Sequence, residues 1–307
     1  MGCQSSLLSC YNPCSREGEN KEKEGVVISY SVALKLPHGL SYLEYIHDSG
    51  SFQKEENIDH WIANQFNSRT KPFQHYINYN DEHVDKTHSG GGHCKGCIAW
   101  NDEEIGWLIH SIPKMMVPSD HVSKTNHSFV SKAEQVYGQS LVFLSNIPIS
   151  ELPALLEHIS VMKPFVDLSS STSTIGLPNV SNTIPLVHFL PLSTSVEHVT
   201  KSPNYHVDLF DEILCHAYKG SWRCETWRRG HHCNTCPHVA DNDSITFENV
   251  HYTSSQDHSK YAVNDVGSTF IGDLNRMTTQ FCRGGGGVII HDVKLNKAIS
   301  SLMLSGS

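Results

Sequence analysis

The chain has 307 residues, of which 38% are hydrophobic and 18% are charged. This length accommodates one large domain or two lobes of about 150 residues each, and the composition excludes a generally disordered chain. Apolar runs stay well short of the roughly 18 residues that a membrane-spanning helix requires, so we expect no stable membrane span. The formal net charge of −9 at pH 7 excludes the strongly basic composition that is typical of nucleic-acid-binding proteins.

Histidine is unusually abundant, with 21 residues. Because histidine titrates near pH 6.5, full protonation would move the formal net charge from −9 to +12. A chain that repels a polyanion at pH 7 could therefore attract one at pH 5. The alternative interpretation is that the histidines are scattered surface residues without a joint purpose.

Strand and helix patterns are mixed along the chain, which predicts an α/β or α+β architecture. We predict strands at 26–36, 40–46 and 71–79, a hairpin of 93–100 and 105–112, and helices at 57–67, after an N-cap at Ser150, at 203–218 and at 292–303. Residues 168–183 are rich in Ser, Thr and Asn and are typical of a linker or long loop. We therefore divide the chain into an N-terminal segment 1–24, an N-terminal lobe 25–165, a linker or loop 166–185 and a C-terminal lobe 186–307.

A short motif occurs once in each half of the chain. His93-Cys94-Lys95 and His258-Ser259-Lys260 both place a histidine two residues before a lysine, and side chains at this spacing on a strand share a face. Seventeen residues after each histidine stands a further polar residue, His110 or Asn275. This repetition predicts two related lobes that face each other across a pseudo-twofold axis. The alternative is that the histidines are merely exposed in turns.

Two His-x-Lys units suit the hydrolysis of phosphodiesters. One imidazole can attack phosphorus, the opposite imidazolium can protonate the leaving oxygen, and the lysines can hold the phosphoryl oxygens. The lysines supply the positive charge, so we expect neither a metal nor another cofactor. One histidine must be neutral while the other is protonated, which favours mildly acidic pH.

The second motif resembles the phospholipase D-like superfamily pattern, His-x-Lys-x4-Asp with a later Asn, at His258, Lys260, Asp265 and Asn275, whereas the first copy has Trp100 in place of the Asp. The chain resembles the deoxyribonuclease II family more closely. The blocks that carry this resemblance are Ala33-Leu34-Lys35-Leu36-Pro37, Tyr79-Asn80-Asp81-Glu82, Gly92-His93-Cys94-Lys95-Gly96, Gly106 to Pro113, Tyr137-Gly138-Gln139, Glu225-Thr226-Trp227-Arg228, Asp257-His258-Ser259-Lys260, Gly272 to Arg276 and Arg283-Gly284-Gly285-Gly286. They run in family order across nearly the whole chain.

The resemblance implies two pseudo-twofold-related phospholipase D-like lobes, each a mixed sheet flanked by helices. It also implies a metal-free acid endonuclease that cuts DNA through a phosphohistidine and leaves 3′-phosphate ends. The catalytic residues carried over are His93, Lys95, His258 and Lys260, with His110 and Asn275 supporting. We assign His93 as nucleophile and His258 as general acid, roles that could be reversed. Candidate substrate-binding residues are Asp273, Arg276 and Arg283.

Several residues depart from the family pattern. Tyr261 and Ala262 replace a Trp-Cys pair, Phe270 and Phe143 replace cysteines, and the terminal glycine run leads to 288–290 without the usual cysteine. The disulfide pattern must therefore differ from that of the family. Met115-Met116 replaces Phe-Pro, which could reshape the substrate groove.

Cysteine content and sequons favour the secretory route. The chain has ten cysteines and glycosylation sequons at Asn126, Asn179 and Asn242. The family resemblance implies a lysosomal or secreted location. Met1-Gly2-Cys3 fits an N-terminal lipidation pattern, but the family places a Cys-Tyr pair soon after its signal peptide, as at Cys10-Tyr11, so we favour a truncated signal peptide.

Other groups of residues have competing interpretations. A zinc site could be formed by Cys224, Cys233 and Cys236 with His231, His232 and His238, although disulfides are the better interpretation. A basic aromatic cluster of Trp222, Arg223, Trp227, Arg228 and Arg229, together with Arg276 and Arg283, could bind phosphates, although we expect both tryptophans to serve packing. The run from Arg283 to Gly287 could bring backbone amides close to a phosphate.

Two other functional classes stay open. A secreted nuclease-fold protein that binds DNA or a host component with little turnover is the first, and a phospholipase D-like lipid enzyme is the second. DNA is the expected substrate of the leading interpretation. Whether the chain acts as a monomer or a homodimer is left open by the sequence.

Overall fold

The computed structural model describes residues 26–82, 91–117, 128–167, 176–178, 186–227 and 236–304. Within these ranges the fold is a mixed α/β architecture with two large sheets, one small sheet and few helices, which confirms the predicted class. The N-terminal segment 1–24 and most of the predicted linker lie outside the described residues. Among the described residues, no helix has the length and apolar character to cross a membrane.

The first half of the chain forms an eight-stranded sheet in the order β3-β2-β1-β7-β6-β5-β4-β8, in which all neighbours are antiparallel. Its strands are β1 Ser29–Lys35, β2 Tyr42–Ile46, β3 Ser51–Glu55, β4 His75–Asn80, β5 Gly96–Trp100, β6 Glu104–His110, β7 Gln139–Pro148 and β8 Phe165–Asp167. The predicted hairpin is confirmed as β5 and β6.

The second half forms a seven-stranded sheet in the order β12-β11-β15-β16-β17-β10-β9, in which only β11 and β12 are parallel. Strands β13 and β14 join β18 in the small sheet. The bounds are β9 Val187–Pro191, β10 Val196–Lys201, β11 Trp222–Glu225, β12 Val239–Asp241, β13 Ser244–Phe247, β14 Val250–Thr253, β15 Tyr261–Asn264, β16 Ser268–Gly272, β17 Gly285–His291 and β18 Met303–Leu304.

The helices are α1 Ile58–Asn67, α2 Leu152–Ser160, α3 Cys215–Ala217 and α4 Val293–Leu302. The side chains of Asn57 and Asp292 cap α1 and α4 by accepting backbone N–H bonds, which explains where these two predicted helices begin. The predicted N-cap at Ser150 is wrong, because Ser150 lies in a 3₁₀ turn and α2 follows Glu151 without a side-chain cap.

The predicted helix at 203–218 begins later than expected. A 3₁₀ turn ends at His206, whose left-handed φ of 57° interrupts the helical path. Asp208 then accepts the N–H groups of Phe210 and Asp211, and a π-helical segment Leu209–Leu214 runs into α3.

Three buried clusters hold these layers together. The largest unites residues of both large sheets with α2 and α4, so the two halves of the chain share one core; it includes Trp107, Val142, Leu155, Tyr261, Val288 and Leu295. A second cluster packs α1 on the outer face of the first sheet, and a third packs the π-helical segment on the outer face of the second. The segments that lead into β5 and β15 lie against the opposite half of the chain.

Candidate active site

Each His-x-Lys motif lies in the extended segment that leads into a strand. His93 and Lys95 precede β5, and His258 and Lys260 precede β15. Both segments pair with the opposite half of the chain through parallel bridges, Gly92 with Gly284 and Asp257 with Gly138. The two motifs are therefore brought together by pairing between the halves.

The first motif is built around a carboxylate. The Lys95 Nζ atom lies 2.8 Å from Asp81 Oδ2, and the His93 Nε2 atom lies 3.5 Å from the same oxygen. The His93 Nδ1 atom is 2.6 Å from the backbone oxygen of Asp273, which belongs to the other half. Burial would raise the pKa of Asp81, but the charge of Lys95 holds it below its usual range.

His93 is poised to be neutral. Burial, followed by the positive charge of Lys95, lowers its pKa well below that of a free imidazole. The hydrogen bond to the Asp273 carbonyl requires a proton on Nδ1, because a carbonyl oxygen only accepts. Neutral His93 therefore carries its lone pair on Nε2.

The second motif is held by a carboxylate and two aromatic rings. The His258 Nδ1 atom lies 3.3 Å from Glu134 Oε2, across the interface between the halves. The ring of Tyr137 stacks on the imidazole at a centroid distance of 3.8 Å, and that of Trp227 meets it edge-on at 4.3 Å. The buried His258 Nε2 has no hydrogen-bond partner among the described residues, so its hydrogen-bonding capacity is not used there.

The lysines of the two motifs are buried near each other. Lys260 is 3% exposed and donates to the backbone oxygen of His258. Burial, followed by the charge of Lys95, lowers the pKa of Lys260 to about 7. The arrangement concentrates positive charge, as an anion site requires.

The two supporting residues do not occupy equivalent positions. The His110 N–H donates to the Lys95 carbonyl, whereas the carbonyl of Lys260 accepts from Gly272 instead of Asn275. The equal spacing of seventeen residues therefore does not place His110 and Asn275 at equivalent backbone positions, because the hairpin after the first motif is longer. Burial lowers the pKa of His110 to about 3, so it is neutral at acidic pH, and the buried Asn275 Oδ1 has no partner in the described part of the chain.

Arg276 is a structural residue, which corrects its assignment to substrate binding. Its guanidinium is 1% exposed and lies 2.8 Å from Asp211 Oδ1 and 3.0 Å from Asp241 Oδ1. A charge that is buried and paired in this way is not available to a phosphate.

Asp273 and Arg283 hold the loops around the first motif. Burial raises the pKa of Asp273 to about 7, and its Oδ1 atom accepts the N–H of Gly286. Arg283 donates to the carbonyl oxygens of Gly91 and Gly92, both at 2.8 Å. The described contacts of both side chains are thus with the protein, and those of Arg283 position the loop that precedes His93.

The remaining members of the basic aromatic cluster have different roles. Trp222 is buried in the outer core of the second sheet, as predicted, whereas Trp227 contacts His258 and so belongs to the site. Arg228 and Arg229 lie outside the described residues. The glycine run serves close packing of backbones, because a Cβ atom on Gly286 would lie 2.0 Å from the Val199 oxygen.

Cys236 forms a disulfide with Cys215 and is therefore excluded as a zinc ligand. The described parts of the chain contain no group of three or more His, Cys, Asp or Glu residues placed to hold a metal. Cys94 and Cys97 are free thiols in the two cores on opposite faces of the first sheet.

Asn242 is fully buried, and its amide donates to Glu225 and to the Ser244 carbonyl, so the structure contradicts its assignment as a glycan acceptor. Asn126 and Asn179 lie outside the described residues. Asp265 is exposed in the turn after β15 and accepts the Ser221 N–H, away from the motif lysines at the other end of that strand.

Sequence reasoning missed Asp81, Glu134 and Tyr137 as site residues. Asp81 and Tyr137 stand in two of the blocks that carry the family resemblance, but neither block contains a His-x-Lys motif. Glu134 lies outside these blocks, and only the packing of the two halves brings it to His258.

Comparison with known proteins places this site in context. The sequence model of the family described as Deoxyribonuclease II matches residues 19–306. The chain is 28% identical to Deoxyribonuclease-2 of Caenorhabditis elegans, over 73% of the chain and 64% of that relative, and 28% identical to Deoxyribonuclease-2-beta of Mus musculus, over 69% and 65%. It is 22% identical to Plancitoxin-1 of Acanthaster planci, over 91% and 88%. The chain thus spans slightly less than two thirds of the length of the first two relatives.

Proposed function

The chain belongs to the deoxyribonuclease II family, and from this premise we propose that it is an acid endonuclease that hydrolyses DNA phosphodiester bonds without a metal. The observation that carries the proposal is the meeting of two buried His-Lys pairs at the interface of the two halves. The names of the relatives support the same substrate class. A lysosomal or secreted location is part of the proposal.

His93 is the nucleophile in this mechanism. Its Nδ1–H is held by the Asp273 carbonyl, which leaves the Nε2 lone pair to attack phosphorus. The new bond joins Nε2 to phosphorus as the bond from phosphorus to the 5′-oxygen breaks. The phosphohistidine that results carries the 3′-linked fragment, and its hydrolysis by water leaves a 3′-phosphate.

His258 is the general acid. Glu134 beside its Nδ1 atom favours the protonated ring, although burial makes the net pKa lower than that of a free imidazole. The Nε2 atom, which has no partner among the described residues, can give its proton to the departing 5′-oxygen and later take one from the attacking water.

Lys95 and Lys260 stabilise the charge of the phosphoryl oxygens. Because the pKa of Lys260 is about 7, this lysine is charged at pH 5 and loses its proton as the pH rises through neutrality. His258 loses its proton in the same direction. The catalytic state is therefore populated at acidic pH and lost towards alkaline pH.

Plasmid cleavage at pH 5 and pH 7.5 with excess chelator tests the proposal. We expect nicking by the wild type at pH 5 and a loss of about 1,000-fold in His258→Ala, within the range for removal of a general acid. His251→Ala, which changes an exposed histidine of the small sheet, serves as the matched control. No cleavage by folded wild type at either pH would contradict the proposal and favour a non-catalytic DNA-binding protein.

A further inference from the structure

Lys35 is a fully buried lysine that the mechanism does not use. It ends β1, where it pairs with Gln139 of β7. Its Nζ atom donates to three carbonyl oxygens, at 2.9 Å to Leu36, 3.0 Å to Gln135 and 2.6 Å to Tyr137. Two of these carbonyls belong to the loop 134–138 that leads into β7.

Lys201 is its counterpart in the second half. It is also fully buried, ends β10 and pairs with Gly285 of β17. Its Nζ atom donates to the carbonyl oxygens of Phe281 at 2.9 Å and Arg283 at 2.7 Å, with Gln280 at 3.5 Å. All three belong to the loop 280–284 that leads into β17. The strands that follow the two loops, β7 and β17, are also equivalent, since each continues into a helix of the shared core.

The two loops support the histidines of the opposite half. The Gly138 oxygen at the end of the first loop accepts the His258 N–H at 2.8 Å, and the Gly284 oxygen at the end of the second accepts the His93 N–H at 2.7 Å. The first loop also carries Glu134 and Tyr137, which contact the His258 ring. The crossing is reciprocal, because each half positions the histidine of the other.

We propose that Lys35 and Lys201 are positioning residues, and that each fixes the loop that holds the catalytic histidine of the opposite half: Lys35 for His258 and Lys201 for His93. This inference rests on the proposed function for the roles of the two histidines. The assignment of each lysine to one loop and to the histidine that this loop supports rests on the hydrogen bonds alone.

An ammonium group suits this task because its three N–H bonds match three carbonyl oxygens. Titratable groups face both lysines, Asp257 and Glu134 at Lys35, and Asp208, Asp273 and Cys282 at Lys201. Burial outweighs these groups and lowers the pKa of each lysine to about 8. Both therefore keep three donors at pH 5, and each loses one donor as the pH rises through about 8.

The two lysines predict different kinetic defects. Loss of Lys35 disturbs the general acid, so the step that forms the phosphohistidine should slow only when the leaving group needs a proton. Loss of Lys201 disturbs the nucleophile, so it should slow every substrate. A residue that serves only folding would not distinguish the leaving groups.

The test compares Lys35→Met and Lys201→Met on DNA and on thymidine 3′-(p-nitrophenyl phosphate), whose leaving group departs without protonation. We expect Lys35→Met to lower kcat/KM, which reports the steps up to departure of the leaving group, about 100-fold on DNA and less than about 5-fold on the activated ester, because small misplacements cost rates of this order. Lys201→Met should lower kcat/KM about 100-fold on both. Lys54→Met and Lys297→Met, which change exposed lysines of the two halves, are the matched controls.

A second measurement does not depend on activity. The ring resonances of His93 and His258 are followed by NMR in each variant, with Lys35→Arg and Lys201→Arg as variants that keep a cation if the Met variants fail to fold. Lys35 variants should shift the His258 resonances and leave those of His93, and Lys201 variants should do the reverse. Equal shifts of both rings, or shifts confined to the histidine of the same half, would overturn the inference. An inactive wild type with crossed shifts would instead count against the proposed function alone.

Discussion

At the scale of a single residue, Asp81 compensates the buried positive charge of this site. One oxygen of its carboxylate faces both basic groups of the first motif, Lys95 at 2.8 Å and His93 at 3.5 Å. Lys95 is 1% exposed, and it lies close enough to the buried Lys260 for its charge to lower the pKa of that second lysine. Without a carboxylate here, two positive charges would face each other in a nearly water-free site.

We predict that Asp81→Asn lowers the free energy of unfolding by about 3 kcal/mol at pH 5, since removal of one partner leaves a buried charge uncompensated. The folded-state pKa of Asp81 is depressed, so its contribution is fully present at pH 5 and is lost only as the pH falls towards that pKa. Urea denaturation at pH 5 measures the change.

Asp102→Asn is the control for this substitution, because Asp102 is exposed and lies 3.9 Å from the exposed Lys71. It should change the free energy of unfolding by less than about 0.5 kcal/mol. Equal effects of the two substitutions would show that Asp81 does not compensate Lys95.

At the scale of elements, the glycine-rich start of β17 lets neighbouring backbones approach closely. Gly286 faces the Val199 oxygen of β10, and its N–H is bound by the Asp273 carboxylate. The next residue, Gly287, faces the Phe270 ring of β16. The strand therefore packs tightly on both sides at the point where the loop that supports His93 ends.

Gly286→Ala should lower the free energy of unfolding by about 3 kcal/mol, the upper part of the range for overpacked cores. The added Cβ would stand 2.0 Å from a backbone oxygen that has no rotamer to move away, so β10 and β17 must separate. Gly176→Ala is the matched control, since no atom lies within 4 Å of the position that its added methyl group would take. Denaturant unfolding measures the free energy of unfolding of both variants. Equal stability of the two would refute the packing argument.

At the scale of the whole molecule, a row of histidines joins the two halves. His158 of α2 lies with Nδ1 2.8 Å from His188 Nδ1 and with Nε2 2.9 Å from His198 Nδ1, and both partners belong to the second sheet. The His198 ring in turn packs on Trp107 of the first sheet, with centroids 4.5 Å apart. The shared core thus contains imidazoles that are held neutral by burial.

These histidines predict that the fold loses stability in acid. Burial lowers the pKa of His198 to about 3, so below the ordinary value of about 6.5 the unfolded state binds a proton that the folded state does not. Between pH 7 and pH 5 this costs about 2 kcal/mol for one such group. In His198→Asn the difference in free energy of unfolding between the two pH values should shrink by about that amount.

His251→Asn is the control for this measurement, because His251 is exposed on the small sheet and its substitution should leave the pH dependence unchanged. An unchanged pH dependence in His198→Asn would contradict the assignment of a neutral buried imidazole. Burial also limits the charge reversal expected from composition, because it lowers the pKa values of His110 and His198 to about 3 and those of His93 and His158 well below the ordinary value.

The sequence alone determined the two His-x-Lys motifs, the family to which they belong, the mixed fold class and helices such as α1 and α4. These features are local, because caps, hydrophobic periodicity and short motifs involve residues that are near each other in the chain. Equal spacing in the chain made His110 and Asn275 look equivalent, because spacing alone does not show that the hairpin after each motif has a different length.

Only the tertiary structure decided what surrounds the motifs. Lys35 meets the Tyr137 carbonyl across 102 residues of sequence, and His93 meets the Asp273 carbonyl across 180. Burial of the shared core brings these groups together. Burial and pairing within the protein also make Arg276 and Asn242 structural residues. No spacing in the chain encodes such contacts, because they depend on how two sheets from separate halves pack against each other.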